Sequence, residues 1–389
     1  MFDPEHRREG YLNLWSGWSV EPKPGDWTNF KQLIETVLAD GDREYSEYIL
    51  NWCAYLFQYP GRQAEVALCF RGQKGVGKST LGRVLADLCG RHGLHISNPN
   101  HLTGRFNLHL RDCIMLFADE AFWAGDKTGE STLKQLVTEP SIMYEGKGAN
   151  AEMGKNLVHI VVASNSDWIV PTSIGDERRF AVFDANNKRQ VPANAPDSHP
   201  NKKFFDDLHK QLRDGGLAGF LHDMLTRDIR GWHPRGNVPT TGALAEQAIH
   251  SMSPFEQWFF DMVQDKQVPG GAACGGNWYN EEIFVFCDDL YNDFSADLQQ
   301  RRISHIPSKN AFGLSLKKML GGKFARNRVR VHPNAMVTNA GADGRAWAYR
   351  LPSLKTLNNV FDKYLEALNS VQTRKVDLPE KVFRAQKRS

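Results

Sequence analysis

Apolar positions along the first half of the chain follow two different periods. In residues 43 to 59, REYSEYILNWCAYLFQY, Tyr45, Tyr48, Ile49, Trp52 and Leu56 recur at helical spacing. This predicts a helix packed by one face, which Pro60 and Gly61 bring to a stop. The runs EVALCF (65 to 70), CIMLFA (113 to 118), LVHIVVAS (157 to 164) and FAVFD (180 to 184) are short, nearly continuous and rich in strand formers. With helical segments between them, they predict buried parallel strands of an α/β sheet. Ser79 to Leu88 reads as one such helix, ended by Gly90.

Near residue 253 the texture changes. Ser253, Pro254, Phe255 and Glu256 form a capping box with proline at the first helical position, so a new helix starts there. PGGAACGGNW (269 to 278) reads as a loop. FCDDLYNDFSADL and SKNAFGLSLKKML predict two short helices, and RNRVRVHPNAM and RAWAYRLP two strands joined across NAGADG. Leu354, Leu357, Val360, Phe361, Tyr364, Leu365 and Leu368 then form an apolar stripe led by Ser353 as a cap, and RKVDLPEKVFRAQKRS closes as a basic tail.

Composition narrows the class. A 389-residue chain that is 41% hydrophobic is long enough for two or three domains with real cores. No apolar run approaches the roughly 20 residues that span a bilayer, and MFDPEHRREGY lacks the apolar segment of a signal peptide. The expectation is an intracellular, cytoplasmic protein without a membrane partner. Cys53, Cys69, Cys89, Cys113, Cys274 and Cys287 have no CxxC spacing and are expected to be buried free thiols.

The net charge of +3 conceals an asymmetry. Residues 301 to 389 carry 19 Lys and Arg against 5 Asp and Glu, whereas the first 300 carry 29 against 40. A basic end of this size points to a polyanionic partner, nucleic acid above all.

The chemistry begins at FRGQKGVGKSTLGRV (70 to 84), where Gly72 to Ser79 spell G-x-x-x-x-G-K-S between a strand and a helix. This is the P-loop pattern. Glycines let the backbone turn its N–H groups toward phosphate oxygens, and the helix N-terminus adds partial positive charge. Gly72, Gly75, Gly77, Lys78, Ser79 and Thr80 are the expected ATP-binding set, with Lys78 on the β- and γ-phosphates and the Ser79 hydroxyl on Mg²⁺. Forty residues on, CIMLFADEAFW ends a strand in two carboxylates. Asp119 suits the Mg²⁺ shell, and Glu120 suits a base that orients and deprotonates the attacking water.

Four blocks, GQKGVGKST, LFADEAFW, LKQLVTEPSIMYEGKGANAEMGKN and VVASNSDWIVP followed by GDERRF, resemble in order and spacing the superfamily 3 helicases of the AAA+ class. The likeness is greatest to the C-terminal helicase region of phage primase-polymerases of the deep-sea vent type. It implies an AAA+ P-loop ATPase core at 63 to 250 after a helical lead-in at 1 to 62, a winged-helix-like α+β domain at 251 to 352, and a C-terminal helix and basic tail at 353 to 389. It also implies a sensor at Asn165, an arginine finger at Arg178 or Arg179 acting on a neighbouring subunit, and a homo-hexameric ring moving 3′ to 5′ on single-stranded DNA. IMYEG and NLVHIV are expected to pair as a pore hairpin whose tip carries Lys147 and Lys155, both gripping that strand; Lys134, on the preceding helix, is expected to be a surface residue. Lys317, Lys318, Arg326, Arg328 and Arg330 are the expected phosphate contacts of the C-terminal domain.

The family carries an N-terminal polymerase domain, and only about 64 residues precede the first strand here. The expectation is a fragment of a longer polypeptide with a primase/polymerase domain upstream. The reading is therefore an ATP-dependent DNA helicase module of a phage replication protein. Two alternatives stand beside it: a P-loop ATPase that packages DNA or remodels protein, and a nucleotide-assembled DNA-binding or loading module without unwinding activity.

Overall fold

A computed structural model describes residues 2–5, 10–120, 127–148, 150–172, 178–270, 277–331 and 340–358. The described chain divides into two compact units, one up to His250 and one from Ser251 onward.

In the first unit, helix α1 (Thr28–Leu33) runs into a π-helical turn (Ile34–Leu38), followed by α2 (Arg43–Gln58), whose Asp42 cap accepts from the backbone N–H groups of Glu44 and Tyr45. Then come β1 (Ala67–Arg71), α3 (Lys78–Leu88), β2 (Gly93–Ile96), α4 (Pro99–Thr103), β3 (Met115–Asp119), α5 (Lys127–Thr138), β4 (Ser141–Tyr144), β5 (Glu152–Lys155), β6 (His159–Ser164) and β7 (Phe180–Asp184). Helices α6 (Pro200–Gln211), α7 (Leu217–Thr226) and α8 (Gly242–His250) complete it. The expected α/β sheet is present, parallel throughout, in the order β2-β3-β6-β1-β7.

Side-chain alternation explains why these strands read as apolar runs. Leu68, Phe70, Met115, Phe117, Val161, Ala163, Ala181 and Phe183 enter one core, shared with Ile49 of α2, Leu81 of α3 and Phe220 of α7. Their strand neighbours Cys69, Leu116, Ala118, Ile160, Val162 and Val182 enter a second core on the other face, with Leu133 and Leu136 of α5 and Leu244 of α8. Both faces of the sheet are thus covered, so the strands lack polar alternation and their polar residues stand mainly at strand ends. Residues 27 to 57 share the first of these cores with the sheet. Cys53, Cys69, Cys89 and Cys113 are buried free thiols, Cys287 is half-buried, and Cys274 lies outside the described residues.

The hairpin differs from expectation. β4 pairs antiparallel with β5, Glu152–Lys155, rather than with NLVHIV. The segment His159–Ser164 is buried at every position and lies in the centre of the parallel sheet between β3 and β1. A strand whose middle, Ile-Val-Val-Ala, is apolar gains most where both faces are covered, so the mostly exposed strand Glu-Met-Gly-Lys is left for the hairpin. Lys155 consequently stands at the hairpin's foot opposite Ser141, not at its tip, whereas Lys147 is exposed beyond β4.

His159 is 1% exposed and packs its ring edge-on against Trp52. Burial pulls its pKa down to about 4, against the opposing effect of the Ile114 and Leu157 carbonyls beside Nδ1. Because the folded value lies below the unfolded value of about 6.5, the neutral ring favours the fold. Its contribution, up to about 3 kcal/mol, is complete above pH 6.5 and is lost as the pH falls through 4. Urea denaturation between pH 7 and pH 5 should show a smaller pH slope for His159→Gln than for the wild type; equal slopes would exclude this role.

The second unit holds α9 (Pro254–Asp265), β8 (Ile283–Phe286), α10 (Cys287–Gln300), α11 (Lys309–Leu320), β9 (Ala325–Arg330) and β10 (Arg345–Leu351). The Ser253–Glu256 capping box is formed in both directions. An antiparallel sheet in the order β8-β10-β9 packs Ile283, Val285, Tyr349 and Leu351 against Phe255, Phe294 and Phe312 of the helices. Leu354 and Leu357 join this core, and the rest of the C-terminal stripe, from Val360 on, lies outside the described residues. Among the described residues, no helix is long and apolar enough to cross a membrane.

Candidate functional site

The carboxyl ends of β1, β3 and β6 converge on one cleft of about 710 Å³, within the range of small-molecule sites. Its floor is the turn that joins β1 to α3. Gly75 has φ 80° and Gly77 φ 98°, a region that side chains rarely adopt. A Cβ on Gly75 would lie 2.6 Å from the Val191 carbonyl oxygen, and one on Gly77 would lie 2.8 Å from the Phe205 ring, so glycine is required twice over. The cleft is lined by Gly75, Gly77, Lys78, Ser79 and Thr80 of this turn, and by Asp119, Glu120 and Asn165 of the neighbouring strand ends.

Lys78 is 5% exposed, and its ammonium donates to the carbonyls of Gly72 (2.7 Å) and Gln73 (2.8 Å) and to Asn165 Oδ1 (2.8 Å). Burial draws its pKa below the ordinary lysine value, opposed by the nearby Glu120 and Asp119 carboxylates. The Ser79 hydroxyl donates to Asp119 Oδ1 at 3.0 Å, so two oxygen donors from different elements share one point. The other carboxylate oxygen of Asp119 faces Arg83 (3.5 Å) and His95 (3.4 Å). That donor pair fits a small hard cation that takes its remaining ligands from phosphate and water. Among the described residues, no group of three or more His, Cys, Asp or Glu could hold a metal by itself.

Glu120 is held differently from its neighbour. Its backbone sits at φ 55°, a left-handed conformation uncommon outside glycine. Its carboxylate accepts from the Ser164 hydroxyl (2.7 Å) and from the Asn165 backbone N–H (2.8 Å). Lys78 and Glu120 therefore both contact Asn165, one at the side chain and one at the main chain.

The opposite wall carries Arg83 and Asp87 of α3, His209 of α6, Arg213, and Leu217 of α7. Burial, together with the charges of Arg213 and Arg83, holds His209 below the ordinary histidine value. Arg83 and Asp87 were legible in principle, since they follow Ser79 at successive four-residue steps and so share its helix face. Ser164 stood next to Asn165 in VVASNSDW. No local signal marked Arg71, which is 6% exposed and pairs with Asp184 (2.6 Å) and Glu246 (2.5 Å) while donating to the Asp167 carbonyl. Its two ion-pair partners lie more than one hundred residues away, and together they tie the ends of β1 and β7 to α8 beside the cleft.

Other expected residues lie elsewhere. Arg178 and Arg179 precede β7, whose first residue pairs with Ala67 at the start of β1. They stand at the amino edge of the sheet, about 16 Å from the cleft along a five-residue strand at roughly 3.3 Å per residue. Lys147 and Lys155 lie on the exposed hairpin. Lys134 is occupied by Glu130 at 2.7 Å. Lys317, Lys318, Arg326, Arg328 and Arg330 are exposed on the second unit. AFW of LFADEAFW and the first residues of GDERRF lie outside the described residues.

A sequence-family model described as a family of unknown function (DUF5906) matches residues 70–179. No curated protein matches the chain by sequence. Solved structures are similar: an A-form apo structure of the NrS-1 C-terminal region has TM-score 0.53 and 20% identity, covering 68% of this chain and 65% of that one. A further apo structure of the same region has TM-score 0.54 and 18% identity, covering 83% and 71%. This chain thus spans just under two thirds of the first of these structures, and the likeness is one of fold.

Proposed function

We propose that the chain is an ATP-dependent DNA helicase module of a phage-type replication protein, with an AAA+ core of superfamily 3 and a winged-helix-like second unit, acting as a homo-hexameric ring on single-stranded DNA. The observation that carries this reading is the convergence of Lys78, Ser79, Asp119, Glu120 and Asn165 at three adjacent strand ends beside a glycine turn. The four sequence blocks and the fold likeness to the NrS-1 C-terminal region support it.

In this reading the backbone N–H groups of the glycine turn cradle phosphates, and Lys78 leaves the Gly72 and Gln73 carbonyls for the β- and γ-phosphate oxygens. Ser79 and Asp119 would hold Mg²⁺, which supplies charge neutralisation on the phosphates. Glu120, oriented by Ser164 and Asn165, accepts a proton from the attacking water. The Asn165 amide, released by Lys78, becomes free to contact the γ-phosphate or that water. Arg178 and Arg179, remote from their own cleft, suit a neighbour's cleft instead. Lys147 and Lys155 on the hairpin would grip the strand, and a primase or polymerase domain would lie upstream in the full-length polypeptide.

Strand displacement on forked DNA tests the whole. ATP-dependent unwinding is expected, and Lys147→Ala with Lys155→Ala should lose unwinding and DNA stimulation while keeping basal hydrolysis. Hydrolysis without strand displacement by the wild type would instead favour packaging or remodelling, and normal unwinding by the hairpin variant would exclude the pore grip.

A further inference from the structure

β9, Ala-Arg-Asn-Arg-Val-Arg, and β10, Arg-Ala-Trp-Ala-Tyr-Arg-Leu, pair so that Arg326 faces Tyr349, Arg328 faces Trp347, and Arg330 faces Arg345. Directly opposed residues and alternate residues point to the same side of a sheet, so these six share one face. One end of that face is closed: Tyr349 is 5% exposed and lies against Phe312 of α11 and Phe324. The other end is open, with Trp347 47% exposed and Arg330 and Arg345 both exposed.

The open end is costly to the fold by itself. Like charges directly opposite each other in a sheet are destabilising, yet Arg330 stands across from Arg345. Arg328 is neutralised by Asp343 at 2.9 Å, but among the described residues no ion pair includes Arg326, Arg330 or Arg345. The Arg326 guanidinium lies 4.7 Å from the centre of the Trp347 ring, so a cation already stands against the exposed aromatic. An anion between the arginines would relieve their repulsion, and a flat π-system would cover the indole.

A chain that alternates phosphates with unstacked rings meets both demands, which duplex DNA, with its bases already stacked, does not. We infer that Trp347 is a stacking platform for an unpaired base of single-stranded nucleic acid, with Arg326, Arg330 and Arg345 holding the flanking phosphates. This rests on the proposed helicase reading and on its expectation that Lys317, Lys318, Arg326, Arg328 and Arg330 of the second unit contact DNA phosphates, and it adds Trp347 and Arg345 with a mode of contact that phosphate binding does not require.

The test uses the full chain and three probes: oligothymidylate, an abasic strand with the same number of phosphates, and a duplex. Trp347→Ala should weaken oligothymidylate binding roughly 5- to 150-fold, the range of one base–aromatic stack, with an unchanged salt slope and unchanged abasic and duplex affinities. Trp347→Phe should retain most of the affinity, which separates stacking from misfolding. Arg330→Ala with Arg345→Ala should weaken all three probes and lower the single-strand log–log salt slope by about 1.4, two phosphate contacts at roughly 0.7 each. Wild-type affinity of Trp347→Ala for oligothymidylate, or an equal loss on the abasic strand, overturns the stacking role. Neutralising Lys317, Lys318, Arg326, Arg328 and Arg330 together tells the two levels apart. If that variant keeps its affinity and salt slope, the second unit does not bind DNA and both ideas fall. If it loses them while Trp347→Ala is silent, only the stacking role falls.

Discussion

Glu120→Gln is expected to bind nucleotide as tightly as the wild type and to hydrolyse it roughly 10²- to 10⁴-fold more slowly, the usual contribution of a general base. Glutamine keeps one oxygen to accept from the Asn165 N–H and turns an amide N–H toward the Ser164 hydroxyl, which can accept it, so the side chain keeps its place and loses its basicity. Lys78→Ala should behave oppositely. It removes the cation at the phosphate end of the cleft and leaves the Gly72 and Gln73 carbonyls without their donor, so nucleotide binding itself should fail. Equilibrium binding of a fluorescent ATP analogue, together with phosphate release, separates the two defects. Full hydrolysis by Glu120→Gln would sink the assignment of the base. Tight binding by Lys78→Ala would move the phosphate site away from the glycine turn.

The largest effect is expected from Arg178 and Arg179. An arginine that completes a phosphoryl-transfer site is worth roughly 10³- to 10⁵-fold in rate, and the position of this pair at the amino edge of the sheet denies it access to its own cleft. Arg178→Ala with Arg179→Ala should therefore be nearly inactive while binding ATP normally. Mixing it with Lys78→Ala should restore activity, because the second protein brings arginines to clefts that the first still possesses. Specific activity of the wild type should also rise with protein concentration through the assembly range. An inactive mixture, or activity per chain that stays flat across that range, would show that no residue is supplied between subunits.

Strand ends, the glycine turn and its carboxylates were legible because each is written in contiguous residues. FAVFD and CIMLFAD announce strands buried on both faces by having no polar alternation, and the two cores are the reason. β2, Gly93–Ile96, has no counterpart among the sequence-based assignments, since its four residues are mostly half-buried or exposed. β8, Ile283–Phe286, was hidden for a different reason, as it runs without a break into α10.

The sequence by itself thus determined the local conformations and the chemistry they carry: a parallel α/β core, a turn that only glycine can make, a lysine and two carboxylates at its rim, and a basic stretch from residue 301 onward. Tertiary structure alone decided what those pieces meet. It assigned Glu-Met-Gly-Lys to β4 and withdrew His159–Ser164 into the sheet, because distant segments compete for the same burial and the more apolar one gains more from the centre. It brought Arg71 to Asp184 and Glu246, set Arg178 and Arg179 at the edge away from the cleft, and laid Trp347 among arginines. Periodicity reports how a residue relates to neighbours one or two turns away, whereas these encounters depend on strand order and register, which no single segment encodes.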